Sequence, residues 1–159
     1  MKHDVARPLF TDPFLITHTE LLLRSHHHWT GRPLLTQSQN PEEGARLLFE
    51  ADFVLVSHGT EPDPILNYGN QKALQLWEMS WTELTRIPSR LTAEAVHRDE
   101  RARLMARVTA RGWIEDYRGV RISKSGRRFM VENATVWNLL DADGQHAGQA
   151  AMFRRWTPL

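Results

Sequence analysis

Apolar residues along the chain shift from helical spacing to short runs and alternation, and that shift sets out the elements. Between residues 12 and 30, Phe14, Leu15, Leu22 and Trp29 recur at helical spacing, with Leu21 and Leu23 widening the stripe. Asp12 is a capping side chain, and Pro13 fits the first helical position, where its missing N–H costs nothing. Residues 30–41 are rich in Pro, Gly, Thr, Ser and Gln and read as a connector. Asn40-Pro41-Glu42-Glu43 then writes a second helix start, with two acids at the positive end of the dipole and Ala45, Leu48 and Phe49 as its apolar face. The chain divides into an N-terminal helix with its connector (1–39) and a main domain (40–159).

Phe53-Val54-Leu55-Val56, bounded by Asp52 and by Ser57-His58-Gly59, reads as a buried strand. Ile65-Leu66-Asn67-Tyr68 is a second, brief one. Asn70 caps a helix running through Ala73, Leu74 and Trp77. Ser80-Trp81-Thr82-Glu83 matches the capping box, and Pro88 ends the helix it starts. From 92 to 111 the pattern is helical, with Leu104, Met105 and Val108 inward and Gly112 as the stop. Strands follow at 113–123, 128–139 and 147–156, joined by turns at Lys124-Ser125-Gly126-Arg127 and Asp141-Ala142-Asp143-Gly144. Two strands, several short helices and three long strands indicate an α+β fold with an antiparallel sheet.

Composition removes whole classes of function. A length of 159 residues suits one domain, and 41% hydrophobic residues can fill a core. Lys and Arg number 20 against 19 acids, a net charge of +1 that argues against a direct nucleic-acid binder or a polybasic membrane binder. No apolar run reaches the ~20 residues of a membrane span. Met1-Lys2-His3-Asp4 leads into no apolar stretch of a secretory signal. The absence of cysteine excludes disulfides, thiolate metal sites, iron–sulfur clusters and cysteine nucleophiles, and makes a reducing cytoplasm the default expectation.

In the strand 128–139, strict alternation places Phe129, Val131, Asn133, Thr135, Trp137 and Leu139 on one face. Met130, Glu132, Ala134, Val136 and Asn138 fall on the other. Both faces are partly apolar, so both are expected to be covered. The short helices would cover one, and the N-terminal helix or a second subunit the other. The mixed face of Phe129, Val131, Asn133, Thr135 and Trp137 has the make-up of a small-ligand site, apolar walls with a few polar groups. A filled core, with Asn133 and Thr135 bonded internally, fits the same pattern.

Ser57, His58 and Asp63 supply the residue types of a hydrolase triad, but there is no G-x-S-x-G elbow, and His58 also reads as a loop-fixing histidine. His26-His27-His28 spreads over about 200° of a helix, so the three cannot share one ion. No metal site is expected. His97-Arg98-Asp99 has the spacing of part of an iron-binding triad, but the second histidine is missing. Arg118, Arg121, Lys124, Arg127 and Arg128 make the hairpin of strands 113–123 and 128–139 basic; Arg121 shares a strand face with Tyr117. If the chain is an enzyme, His58, Asp63, Tyr117 and Arg121 are its candidate acid–base and anion-holding groups.

The order of elements resembles the PAS fold in detail. Tyr68 followed by Asn70, the segment from Trp77 to Leu84, His97-Arg98-Asp99-Glu100-Arg101 and Arg121-Ile122-Ser123-Lys124-Ser125-Gly126 each resemble PAS features. Ser57-His58-Gly59-Thr60, Asn67-Tyr68-Gly69-Asn70, Pro88-Ser89-Arg90-Leu91, Tyr117-Arg118-Gly119-Val120-Arg121, Ala134-Thr135-Val136-Trp137 and Gly148-Gln149-Ala150-Ala151 are more specific. Together they resemble the MEKHLA domain, a PAS-like family of small bacterial proteins also found at the C-terminus of plant class III homeodomain-leucine zipper transcription factors. The resemblance implies a five-stranded antiparallel sheet with short helices on one face, here with an N-terminal helix extension.

It also implies a sensory or regulatory module with a cavity between sheet and helices. Tyr68, Asn70, Trp77, Trp81, Arg121, Asn133, Thr135 and Trp137 are the candidate ligand-binding residues. The N-terminal stripe needs a partner surface, from which a homodimer is expected. A small enzyme and an interaction domain with a filled core are the alternatives. His97 stands at the start of its helix, which argues against haem. A cysteinyl-flavin adduct is impossible, and non-covalent flavin has no support in the residues. The ligand itself stays unnamed.

Overall fold

The computed structural model describes residues 6–36 and 40–159. In chain order the elements are α1 (Pro13–Thr30), α2 (Pro41–Phe49), β1 (Val54–His58), β2 (Leu66–Gly69), α3 (Gln71–Trp77), α4 (Trp81–Leu84), α5 (Ala95–Arg111), β3 (Trp113–Ile122), β4 (Arg128–Leu140), β5 (His146–Phe153) and β6 (Arg155–Pro158). The strands form one antiparallel sheet in the order β2-β1-β5-β4-β3. β6 pairs with the start of β4 on the side that β5 occupies further along, so the last strand of a five-stranded sheet is broken once, at Arg154. The expected helix 92–111 divides into a 3-10 turn (Ser89–Thr92) and α5. Residues 37–39 of the expected connector lie outside the described residues.

Local signals place the helix starts. Asp12 accepts from the Phe14 N–H at 2.9 Å and Asn40 from that of Glu43 at 2.8 Å. In the capping box, Ser80 accepts from the Glu83 N–H at 3.1 Å, and the Glu83 carboxylate accepts from the Ser80 N–H at 3.2 Å.

Asn70 does more than cap α3. Its Oδ1 accepts from the N–H groups of Ala73, 3.2 Å away, and Leu55, 3.0 Å away. Its Nδ2 donates to the carbonyls of Phe53 at 2.7 Å and Leu48 at 3.4 Å. One fully buried amide thus ties α2, β1 and α3 together.

One face of the sheet packs on α1, which answers the expectation that either this helix or a second subunit would cover it. Leu15 and Leu22 enter a cluster with Leu55, Tyr68, Trp137 and Leu139. The rest of the buried face of α1 is polar: His18, Thr19, Ser25 and His26. His18 Nε2 lies 2.8 Å from Ser57 Oγ. The Ser57 proton goes to Asn67 Oδ1, so Ser57 accepts from the His18 N–H. Ser25 Oγ accepts from the Leu140 N–H at 2.9 Å, and Trp29 Nε1 donates to the Asn138 carbonyl at 2.9 Å. Phe14, which the pattern puts in the stripe, is 57% exposed.

The other face packs on α3, α4 and α5. Here the strict alternation expected in β4 fails. Asn133 adopts φ 52°, and between the pairs Gly119↔Val131 and Tyr117↔Ala134 β4 carries one residue more than β3. This bulge reverses the alternation. Phe129 and Val131 before it, and Ala134 and Val136 after it, all face the helices, while Trp137 and Leu139 face α1.

Asn70→Ala should lower stability by about 3 kcal/mol or more, because each buried group it orphans costs roughly 1–3 kcal/mol; urea unfolding measures it. Burial also lowers the pKa of His18 from 6.5 to about 4, and those of His26 and His58 in the same direction. The unfolded chain then binds protons that the folded chain refuses. Stability should be full above pH 6.5 and fall as pH drops towards 4, with His18 alone contributing on the order of 3 kcal/mol. Urea melts across that range should show the slope, and His18→Gln should flatten it.

Candidate functional site

A cavity of about 70 Å³ lies between the helix-facing side of the sheet and α3 and α5. Its walls are mainly apolar: Val56, Leu66, Trp77, Leu104, Val131, Val136 and Phe153. Its polar lining comes from His58, Thr92, Arg101, Tyr117, Arg121 and Gln149.

His58 ends β1, where the β1–β2 register shifts. Its Nδ1 donates to the Gly59 carbonyl at 2.9 Å, and its buried Nε2 has no partner. Burial lowers its pKa, and the nearby charge of Arg101 adds to that. Gly148 makes room for it: a β-carbon there would lie 2.0 Å from the His58 carbonyl oxygen, and φ is 132°.

Tyr117 follows a second bulge, on β3, where Asp116 adopts φ 59°. Its hydroxyl accepts from Arg121 Nη2 at 3.1 Å, and the same guanidinium lies 5.5 Å from the ring centroid. Arg121 Nη1 donates to the Val120 carbonyl at 2.8 Å. The Tyr117 O–H donates to no acceptor among the described residues. Gly119 admits the ring, since a β-carbon there would lie 2.3 Å from the hydroxyl oxygen.

Arg101 projects from α5 and is 9% exposed. It makes no hydrogen bond and no ion pair among the described residues. Burial, and secondarily the charge of Arg121, lower its pKa to about 10. Gln149 Nε2 donates to Asn138 Oδ1 and Thr109 Oγ1, both at 3.0 Å, and its buried Oε1 has no partner.

The structure thus gathers His58, Trp77, Tyr117 and Arg121 of the expected residues around one cavity. It places the others elsewhere. Tyr68, Trp81 and Trp137 pack on the α1 side, with Tyr68 5.5 Å from Trp81 and Trp137 4.9 Å from His26 between ring centroids. Thr135 is half-buried and Asn133 exposed, both displaced from the cavity face by the bulge. Asn70 is fully engaged in the frame. Asp63 is exposed and gives both carboxylate oxygens to Arg90 Nε, at 3.2 and 3.1 Å. The Ser57 hydroxyl is held by Asn67 and His18, so Ser57, His58 and Asp63 do not assemble as a triad.

Among the described residues no group of three His, Asp or Glu could hold a metal ion. The side chain of His97 lies outside them. His26 is buried, its Nδ1 donating to the Arg32 carbonyl at 3.1 Å, while His27 and His28 are exposed. The basic hairpin is clamped to the helices. Glu78 accepts from Ser123 and Ser125, Lys124 pairs with Glu83, and Arg128 lies 3.5 Å from Glu94.

Arg101, Thr92 and Gln149 were not among the expected site residues. A signal for Arg101 was present. Leu104, Met105 and Val108 form an inward stripe at i, i+1 and i+4, and one turn back that stripe lands on Arg101.

A sheet of this strand order, with its cavity under the helices, is a PAS-like fold. Solved structures agree. The PAS domain of a protein from Colwellia psychrerythraea superposes with a TM-score of 0.62 at 12% identity, covering 70% of this chain and 92% of that one. An RNA-binding light-oxygen-voltage receptor gives 0.62 at 16% identity, covering 75% of this chain and 34% of that one. A fungal LOV domain photoreceptor gives 0.57 at 21%, covering 85% and 88%.

Within that class, the MEKHLA domain model matches residues 16–158, and the chain belongs to the MEKHLA family. The match takes in most of α1. The homeobox-leucine zipper protein ATHB-14 of Arabidopsis thaliana is 28% identical over 152 residues, 92% of this chain. The chain spans 18% of the length of that relative. No helix among the described residues is long and apolar enough to cross a membrane.

Gly148→Ala should push β1 away from β5 beneath His58 and lower stability by about 3 kcal/mol, the upper range for overpacking. Thermal melting measures this, and a variant as stable as the parent would show that the strands have room to part.

Proposed function

We propose that this domain is a sensory or regulatory module that takes a small molecule into the cavity between the sheet and α5. The observation behind this reading is unused hydrogen-bonding capacity on cavity-lining residues. Among the described residues His58 Nε2, Gln149 Oε1 and Trp77 Nε1 are buried without partners, and Arg101, which also lines the cavity, forms no ion pair. Buried polar groups are normally paired, and a cavity edged by several that are not suits a missing polar guest. His58, Trp77, Arg101, Tyr117 and Arg121 are the residues proposed to meet it.

The volume favours a guest of few heavy atoms, since drug-sized sites occupy roughly 300–1,000 Å³. A flavin or haem would require the helices to move outwards. Binding is favoured over turnover because Asp63, one of the four groups an enzyme would use, is held by Arg90 outside the cavity. A filled-core interaction domain would leave no such space. A homodimer would have to use surfaces other than the buried stripe of α1; Leu9 and Phe14 remain exposed at that end.

Native mass spectrometry of the full chain, followed by denaturation, tests the proposal and reports the mass of the assembly. The expected result is one small molecule released per chain, or a saturable rise in melting temperature with a ligand from a small-metabolite panel. Ala134→Leu, which fills the cavity, should abolish either signal while preserving the fold. No release and no shift across the panel would overturn the reading.

A further inference from the structure

Arg101 is a buried cation with no ion-pair partner among the described residues, and the charge of Asp63 reaches it only from a distance. Taking a guanidinium out of water costs several kcal/mol unless an anion or a full set of acceptors replaces the water. Nearby acids are directed elsewhere. Asp63 pairs with Arg90, Glu61 accepts from the Ile65 N–H, Glu94 pairs with Arg128, and Asp99 and Glu100 are exposed. Arg121, close enough for its charge to act on Arg101, adds a second positive group to the same lining. The cavity therefore has a cationic end, with the Tyr117 hydroxyl proton available beside it, and a mainly apolar remainder edged by His58, Gln149 and Trp77.

An anion drawn to that end must also suit the walls. Phosphate or sulfate would turn oxygens towards Val56, Leu66, Val131 and Val136, where nothing can hydrogen-bond them. A carboxylate on a short alkyl chain puts its charge at one end and its carbon at the other, and its planar oxygens match a guanidinium fork. At 10–15 Å³ of such space per water-sized group, the cavity holds roughly five heavy atoms.

We propose that the cavity binds a short-chain carboxylate of the size of propionate or butyrate, held by Arg101, Arg121 and the Tyr117 hydroxyl, with its alkyl end against Leu66, Val131 and Val136. This rests on the small-ligand reading above and adds the chemistry of the ligand.

The test is calorimetry and thermal shift on the full chain with propionate, butyrate, the neutral isostere propionamide, and inorganic phosphate. The carboxylates should bind saturably, with propionamide and phosphate at least tenfold weaker. Arg101→Met should abolish the carboxylate response. It should also leave the melting temperature of the unliganded protein equal to or above that of the parent, because an unpaired buried charge has been removed. Arg121→Gln, at a half-exposed position, should weaken binding at least tenfold and provides a second variant if the first folds poorly.

Equal binding of propionamide and propionate, tighter binding of phosphate, or unchanged binding in both arginine variants would overturn the carboxylate assignment. Where a neutral molecule still binds and Ala134→Leu blocks it, the small-ligand reading survives. Where none of the four binds the parent, the carboxylate assignment falls, and the small-ligand reading is decided by the release and panel experiment.

Discussion

One strand, two helices and the turn that leads into the strand meet at the side-chain amide of Asn70. Its backbone N–H donates to the Leu55 carbonyl at 3.0 Å while its Oδ1 takes the Leu55 N–H, so a single residue closes a reciprocal pair with β1. The same oxygen starts α3, and the amide nitrogen reaches back to the end of α2. Every group involved is buried, where an unmade hydrogen bond carries its full desolvation cost. The edge pair β1–β2, the direction of α3 and hence the roof of the cavity follow from this junction.

The far wall is set by a different device. Two residues in left-handed conformation, Asp116 and Asn133, interrupt the β3–β4 ladder within a few residues of each other. The first interruption brings Tyr117 to the cavity side. The second turns Ala134 and Val136 inwards and leaves only a small side chain, Ala134, beside Tyr117. Space and a polar rim therefore arise at the same point of the sheet. Among the described residues, the same lining holds a guanidinium with no ion-pair partner and two buried acceptors, His58 Nε2 and Gln149 Oε1, with no donor.

What could be read in the sequence was what depends on near neighbours. Caps at Asp12, Asn40, Asn70 and Ser80 are contacts across two or three residues, and residue types suffice to place them. The element order followed, and with it the fold. The polar seat of α1 was illegible because its partners are remote: His18 meets Ser57 across 39 positions, and Ser25 meets Leu140 across 115. The bulge at Asn133 was hidden for a related reason, since an extra residue in a strand is defined only by what its neighbour does. A one-residue error of phase moved Asn133, Thr135 and Trp137 off the cavity. His58, Tyr117 and Arg121 survived it because they stand at a strand end and on the other strand of that hairpin.

The way α1 seals the sheet bears on how such a unit can be used. Its hydrogen bonds to Ser57, Asn138 and Leu140 act as keys at three points along 18 residues, so the helix seats in one register and one direction. A sheet already roofed by its own chain asks no neighbouring domain to shelter it. On that face the interior is closed from within the chain, by Leu15 and Leu22 against Leu55, Tyr68, Trp137 and Leu139.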